Sequence, residues 1–457
     1  MSSKEHMGTG AAELVRIVSR RMIKPPPSFS EEAVNIHLTP WDLCLITVDY
    51  IQKGILLPKP PAGGVVVDTL ASSFARALGK FHPFAGRLVV EHHDGGTTTA
   101  VLLKCTGEGA EFIHAVAPGV AAADIAGSIH TPSVVWAFFP LNHVLGADAA
   151  TESLPVLSAQ VTELADGVFI GMSLNHSVGD GTAFWKFFNT WSEINRGGVD
   201  LRGPAPVHQR FFMDSSPVPV ILPFSKLQDV VLRLERPAVQ ECFFTFSAAS
   251  IQKLKARANR ETPAAITVSS LQALLAHLWR AVSRARRLPP EQETSYSLLI
   301  GCRGRVKGIP QVYMGNAVVF AKASSTVGEI LDKGPGLGWT AWQLNRVVAS
   351  FDEAGMADWL DRWTKKPDFL YAGAKSLGGA AVTTGSSPRF DVFGNDFGWG
   401  KPVAVRSGCG NKIDGKATVF EGPERGGSMS LEVCITPDAL QRLVADEEFM
   451  DAVSMPM

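Results

Sequence analysis

The stretch that most constrains the fold is Gly167–Trp191, GVFIGMSLNHSVGDGTAFWKFFNTW, because its hydrophobic period changes within a few residues. Val168, Phe169, Ile170, Met172 and Leu174 read as a strand. Phe184, Phe187, Phe188 and Trp191 then recur at the spacing of one helix face. Gly179, Asp180, Gly181 and Thr182 form a turn and helix start between them. Strand and helix are both held by a core, while the turn between them can open into a cavity. That makes the turn a good mount for a reactive side chain. His176 sits on this mount and is read as a general base, against the plainer reading of a satisfied core or turn histidine.

At 457 residues the chain is too long for one compact core, so two domains are expected. Hydrophobic residues at 46% against 19% charged give a well-cored globular protein. A net charge of −1 supplies no bulk attraction for nucleic acid or an anionic membrane. No window has the length of a membrane span. The opening MSSKEHMGTGAAELVRIVSRR lacks the apolar core of a secretory signal, and Ser454–Met457 is not a peroxisomal address. Cys44, Cys105, Cys242, Cys302, Cys409 and Cys434 are scattered, which fits buried thiols in a reducing, cytoplasmic setting.

In chain order, residues 1–10 read as a disordered tail and Leu14–Ile23 as a strand. Leu38–Asp42 (LTPWD) reads as a turn and Gly63–Phe81 as an amphipathic helix. A hairpin is expected at Asp94–Gly96. Pro155–Glu163 and Gly167–Leu174 pair as strands, placing His176 at a sheet edge or mouth. The proline-dense Gly203–Pro223 is the best linker, so the division is 1–203, a linker over 204–225, and 226–457. Strands then fall at Glu241–Ser247, Ser297–Cys302, Ala380–Thr384, Ala417–Phe420 and Ser428–Ile435. Helices fall at Ser247–Asn259, Thr267–Arg284, Met356–Lys365 and Asp438–Phe449, the last capped by Thr436–Pro437. Asp414–Gly415 reads as a hairpin turn. Mixed strands and helices in both halves give an α/β or α+β protein of two domains.

Other candidates are weighed beside His176. Asp180 either orients the imidazole or forms a structural ion pair; the pair is preferred, with Arg303 and Arg305 as candidate partners. No G-x-S-x-G elbow is present, and Ser428–Ser430 does not supply one, so a serine hydrolase is disfavoured. Gly410–Lys416 (GNKIDGK) fails as a phosphate loop because Ala417 stands where a serine or threonine is needed. His92 and His93 lie in a turn with no further ligands nearby in sequence, so no metal is expected. Lys253, Lys255 and Arg257 are either a solvated helix face or a grip on an anionic cofactor tail.

Several stretches together resemble a known family. His176-Ser-Val-Gly-Asp180-Gly181 fits H-x-x-x-D-G, and Asp396-Phe-Gly398-Trp399-Gly400 is D-F-G-W-G in full. Arg303–Arg305 and Val312–Val318 (VYMGNAV) lie between them, and LTPWD, HPFAGRL, WSEINRG and SSLQALLAHLWRA agree. The chain is similar to plant BAHD-type acyltransferases over essentially its whole length. The first motif is shared with nonribosomal peptide condensation domains and chloramphenicol acetyltransferases; D-F-G-W-G narrows the choice.

The resemblance implies an α/β fold of two chloramphenicol-acetyltransferase-like domains, each a mixed sheet with helices, with the active-site channel between them. It also implies a cytoplasmic, monomeric enzyme. His176 is then the base for direct acyl transfer from an acyl-CoA co-substrate to a small-molecule hydroxyl or amine, with no acyl-enzyme and no resident cofactor. Asp180, Arg303, Arg305, Asp396, Gly398, Trp399 and Gly400 are structural. Hydroxycinnamoyl-transferring relatives draw oxyanion donors from a T-x-W stretch before D-F-G-W-G. Here that region is Gly385–Phe390 without tryptophan, leaving Ser386 or Ser387 as the candidate donor. A CoA-independent lyase on the same fold and a non-catalytic binding protein are the alternatives.

Overall fold

The computed structural model describes residues 14–27, 34–61, 67–198, 204–214, 216–236, 238–262, 266–332, 336–372 and 379–454. The expected tail at residues 1–10 lies outside them. In the first half the strands are β1 (Arg16–Ile23), β2 (Val34–His37), β3 (Ile51–Pro58), β4 (Arg87–His93), β5 (Thr98–Cys105), β6 (Ala110–Ala117), β7 (Leu157–Leu164) and β8 (Gly167–Leu174). In the second half they are β9 (Gln240–Phe246), β10 (Glu293–Gly301), β11 (Val318–Thr326), β12 (Ala381–Thr384), β13 (Ala404–Ser407), β14 (Lys416–Glu421) and β15 (Met429–Ile435).

They assemble into two six-stranded mixed sheets, ordered β1-β6-β7-β8-β3-β13 and β11-β10-β12-β14-β15-β9, and a small antiparallel β2-β5-β4 sheet. The protein is therefore mixed α/β with two sheet-rich domains. β8 lies between β7 and β3 and is buried along all eight residues. His176 thus follows an interior strand, not an edge strand. Interior position explains why β8 reads as a continuous apolar run instead of alternating.

In the first core, Phe184, Phe187, Phe188 and Trp191 of helix Gly181–Asn195 pack with the helix Val67–Lys80. Phe74 meets Trp191 and Phe187 edge-on, with centroids 4.9 and 5.5 Å apart, a geometry the aromatic quadrupole favours. In the second core, helix Ser270–Arg286 is the centre. Its Ser269–Gln272 capping box starts it, and helices Ala248–Glu261 and Gly336–Ala349 cover it.

Several sequence expectations change. LTPWD is not a plain turn: Thr39 and Asp42 form a capping box that starts a one-turn helix, Pro40–Leu43. Asp414–Gly415 is not a hairpin, because β13 before it pairs with β3 in the other sheet. For the same reason the span 226–457 does not keep all its strands in one sheet. The 204–225 segment is no loose tether: Val207 bridges Tyr313, Leu222 bridges Thr99, and Arg210 is buried. The C-terminal helix splits into Pro437–Val444 and Glu447–Met450, because Asp446 caps the second piece while gripping Arg284 at 2.7 and 3.0 Å. Thr436 makes no side-chain cap bond. Among the described residues no helix is long and apolar enough to cross a membrane.

Candidate active site

His176 stands just past the end of β8, half-buried amid fully buried neighbours. Its Nδ1 is buried and has no partner in ordinary hydrogen-bond geometry. Burial lowers the His176 pKa below 6.5 as the leading cause, with Lys416 adding to the lowering. Its own carbonyl, Asp180 and Asn316 oppose it.

The turn carrying His176 is held at three points. Asn316 Nδ2 donates to the His176 carbonyl at 2.8 Å. Arg210 donates to the Val178 carbonyl at 2.7 Å. Asp180 closes the turn: its Oδ1 accepts from Thr182 and Ala183 amides at 3.0 and 3.3 Å, as the helix N-cap. The same carboxylate takes a two-pronged bond from Arg303 at 2.7 and 2.9 Å. Arg303 also donates to the carbonyls of Tyr313 and Gly315, at 2.8 and 2.7 Å. Asp180 therefore faces Arg303, and no hydrogen bond joins it to the imidazole among the described residues. Arg305, named as an alternative partner, does not pair with Asp180; it is exposed, with its guanidinium 5.8 Å from the Phe351 ring centre.

Behind these points lies Asp42, fully buried. It accepts from Asn316 Nδ2 at 2.9 Å and from Thr39, and it pairs with Arg210 at 3.1 Å. Asn316 and Arg210, which hold the turn, are thus themselves held by one carboxylate. Sequence reasoning gave Asp42, Asn316 and Arg210 no role. The Thr39-x-x-Asp42 spacing was a readable capping signal; nothing local marks the other two.

The segment Gly385–Phe390 lies against this turn. A side chain on Gly181 would start 3.0 Å from the Phe390 ring. Ser386 and Ser387 are half-buried, and Ser387 Oγ accepts from the Arg389 amide at 3.2 Å. The D-F-G-W-G loop lies elsewhere. Asp396 Oδ1 accepts from Gly398 and Gly400 at 2.8 and 3.1 Å. Gly400 sits at φ 136°, in the region that favours glycine. Trp399 donates to the Pro58 carbonyl, and Asn195 donates to the Phe397 carbonyl. This loop grips the C-terminal end of helix Gly181–Asn195, about 22 Å along the helix from the His176 turn, and feeds β13 into the first sheet.

Lys253 is exposed and Lys255 half-buried on the outer helix Ala248–Glu261. Arg257 is already bonded to Glu261 and Glu448, each at 2.9 Å. Among the described residues no hydrogen bond or ion pair joins these three to the His176 turn. A separate cavity of about 420 Å³ runs between Trp41, β11 and helix Glu353–Lys365. It ends at Trp41, next to Asp42, and His176 is not in its lining. No group of three or more histidines, cysteines or carboxylates is placed to hold a metal among the described residues.

The model of the Transferase family matches residues 14–450. An uncharacterized acetyltransferase of Arabidopsis thaliana is 37% identical over 96% of this chain and 99% of its own length. The Arabidopsis BAHD acyltransferase DCR is 30% identical, over 95% and 92%. Among solved structures, F. graminearum TRI101 complexed with ethyl coenzyme A superposes with a TM-score of 0.73. It is 19% identical and covers 93% of this chain and 99% of that one, a likeness of fold.

Proposed function

The chain belongs to the Transferase family, the BAHD acyl-CoA-dependent acyltransferases, and from that premise we propose that it acylates a hydroxyl or amine of a small plant metabolite with His176 as the general base. The observation that carries this reading is the braced His176 turn, where burial favours the neutral ring.

In this mechanism Nε2 takes the proton from the acceptor as its oxygen or nitrogen attacks the thioester carbonyl carbon. The tetrahedral oxyanion collapses, the carbon–sulfur bond breaks, and the imidazolium returns the proton to the CoA thiolate. The imidazole is restored with no bond ever formed to the protein. Base catalysis of this kind contributes about 10²–10⁴-fold. The oxyanion requires a preorganised donor, and Ser386 and Ser387 are the candidates, because their segment abuts Gly181. Asp180 and Arg303 act as positioning residues. Lys253 and Lys255 are the better candidates for a CoA phosphate, since Arg257 is already occupied by carboxylates.

The test is transfer from a panel of acyl-CoAs to hydroxyl and amine acceptors, followed by CoA thiol release. His176→Ala should lose about two to four orders of magnitude in kcat while still binding acyl-CoA by calorimetry. Transfer by the variant at the parent rate would remove His176 from the chemistry.

A further inference from the structure

One face of the second sheet looks onto the first. Lys416, Thr418 and Phe420 alternate on β14 to that side. Glu432 and Cys434 of β15 and Glu241 of β9 join them, by the register Thr418–Glu432, Lys416–Cys434 and Cys434–Glu241. The edge of the first sheet meets this face. Ser407 of β13 donates its amide to Glu432 at 3.1 Å, and Lys53 of β3 donates to Ser407 Oγ at 2.6 Å.

Three lysines and two carboxylates share the place. Lys412 takes both carboxylates, Glu241 at 2.7 Å and Glu432 at 2.6 Å. That leaves Lys53 and Lys416, neither with a carboxylate at ion-pair distance among the described residues. Lys416 Nζ reaches only the Asn411 carbonyl at 2.8 Å, while Lys53 lies 5.2 Å from the Phe420 ring centre. Both are half-buried, so each keeps some contact with solvent although it lies between the sheets. Lys416 is also close enough to His176 to lower its pKa, and its Cε is 4.0 Å from where a side chain would begin on Gly385. Gly385 opens the segment whose Phe390 rests on Gly181.

We infer that Lys53 and Lys416 form an anion subsite next to His176, which takes a carboxylate carried by one of the two reacting molecules. This rests on the acyl-transfer reading for its reactants, but the subsite stands on its own geometry. Two amines with no carboxylate at ion-pair distance in a low-dielectric gap are held at a free-energy cost, and an incoming carboxylate relieves it. Burial, joined by the neighbouring Lys416 and Lys412 and opposed by the more distant Glu432, presses the Lys53 ammonium down to about 7, and burial likewise lowers Lys416. The carboxylate can arrive on the acceptor or on the acyl group. Thioester carbonyl and acceptor nucleophile must both approach His176, so either would bring it within reach.

The experiment uses the full-length protein and two matched comparisons. One sets phenolic acids against their methyl esters as acceptors; the other sets malonyl-CoA against acetyl-CoA as donors. The structure predicts a preference for the acid in one comparison. In Lys416→Met, that acid-over-neutral ratio of kcat/KM should fall about tenfold or more, mostly through KM, the worth of one charge-assisted bond. Lys416→Arg should recover part of it, and Lys53→Met should fall in the same direction. The acid partner should raise the Tm of the parent and not that of Lys416→Met, a readout that needs no turnover. Loss of the ratio in the acceptor comparison alone places the carboxylate on the acceptor; loss in the donor comparison alone places it on the acyl group. An unchanged ratio in folded Lys416→Met and Lys53→Met overturns the subsite, whatever His176→Ala shows. Carboxylate-dependent stabilisation without any acyl transfer would instead keep the subsite and overturn the transferase reading.

Discussion

His176 can serve as a base only while its ring is neutral, so its environment sets where activity is lost in acid. Burial opposes the imidazolium and moves its folded pKa below 6.5. The neutral, competent form therefore persists above that depressed value, and activity is lost as pH falls through it. The acid limb of kcat/KM should have its midpoint below 6.5, and Lys416→Met, which removes a positive neighbour, should move the limb upward. A parent limb at or above 6.5, or a downward move in the variant, would contradict this electrostatic account. His176 and Asp180 were legible because strand, glycine turn and helix face lie in one short stretch. Asn316 and Asp42 were not, because their meaning is in bonds across 140 and 274 residues. Lys53 and Lys416 were hidden differently. A lysine in a strand reads as solvent-facing, and only the meeting of two sheets turns that side inward.

The element that presents the histidine is the helix start at Asp180. This carboxylate accepts from two helix amides and from both arms of Arg303, whose side chain is only 7% exposed. Asp180→Ala removes the cap, worth about 1 kcal/mol. It also strands a buried guanidinium, so the total loss should reach about 3–5 kcal/mol. Asp180→Asn keeps an oxygen for the cap but loses the charge, and should be less destabilised than alanine by about the value of the cap. Urea denaturation of the three proteins measures this. An alanine variant as stable as the parent but inactive would make Asp180 a partner in proton transfer. Elements with one clear period, such as helix Gly181–Asn195 and the β4–β5 hairpin, were readable in sequence. β11 was not, because it is an edge strand with only one fully buried residue and Phe320 52% exposed, so its alternation carries no signal.

At the scale of the whole molecule, two domains could be read from the sequence, and the resemblance implied a mixed sheet in each, but the exchange of a strand between the sheets could not be read. β13 is only four residues long, and its place beside β3 depends on the D-F-G-W-G loop anchoring at Pro58. Its Ser407 then meets Glu432, so the joint between the sheets depends on the buried group of Glu241, Lys412 and Glu432. Burial alone would raise the Glu432 carboxyl; Lys412 and Lys53 reverse that and hold it at about 2. Its contribution to stability is thus present in full above the ordinary carboxylate range and is lost progressively as pH falls from there through about 2. Lys412→Met reverses the sign. Burial already holds the Glu241 carboxyl above its ordinary value in the parent; without the ammonium Glu432 loses the main group that lowers it, so acidification favours the variant more strongly than the parent. At pH 8 it should be about 3–5 kcal/mol less stable than the parent, the usual result of leaving buried charge unpaired. The gap in Tm measured by scanning calorimetry should narrow steadily from pH 8 to pH 5. A gap that stays constant over that range would mean that the two carboxylates remain solvated in the variant and that the sheets are joined by packing alone.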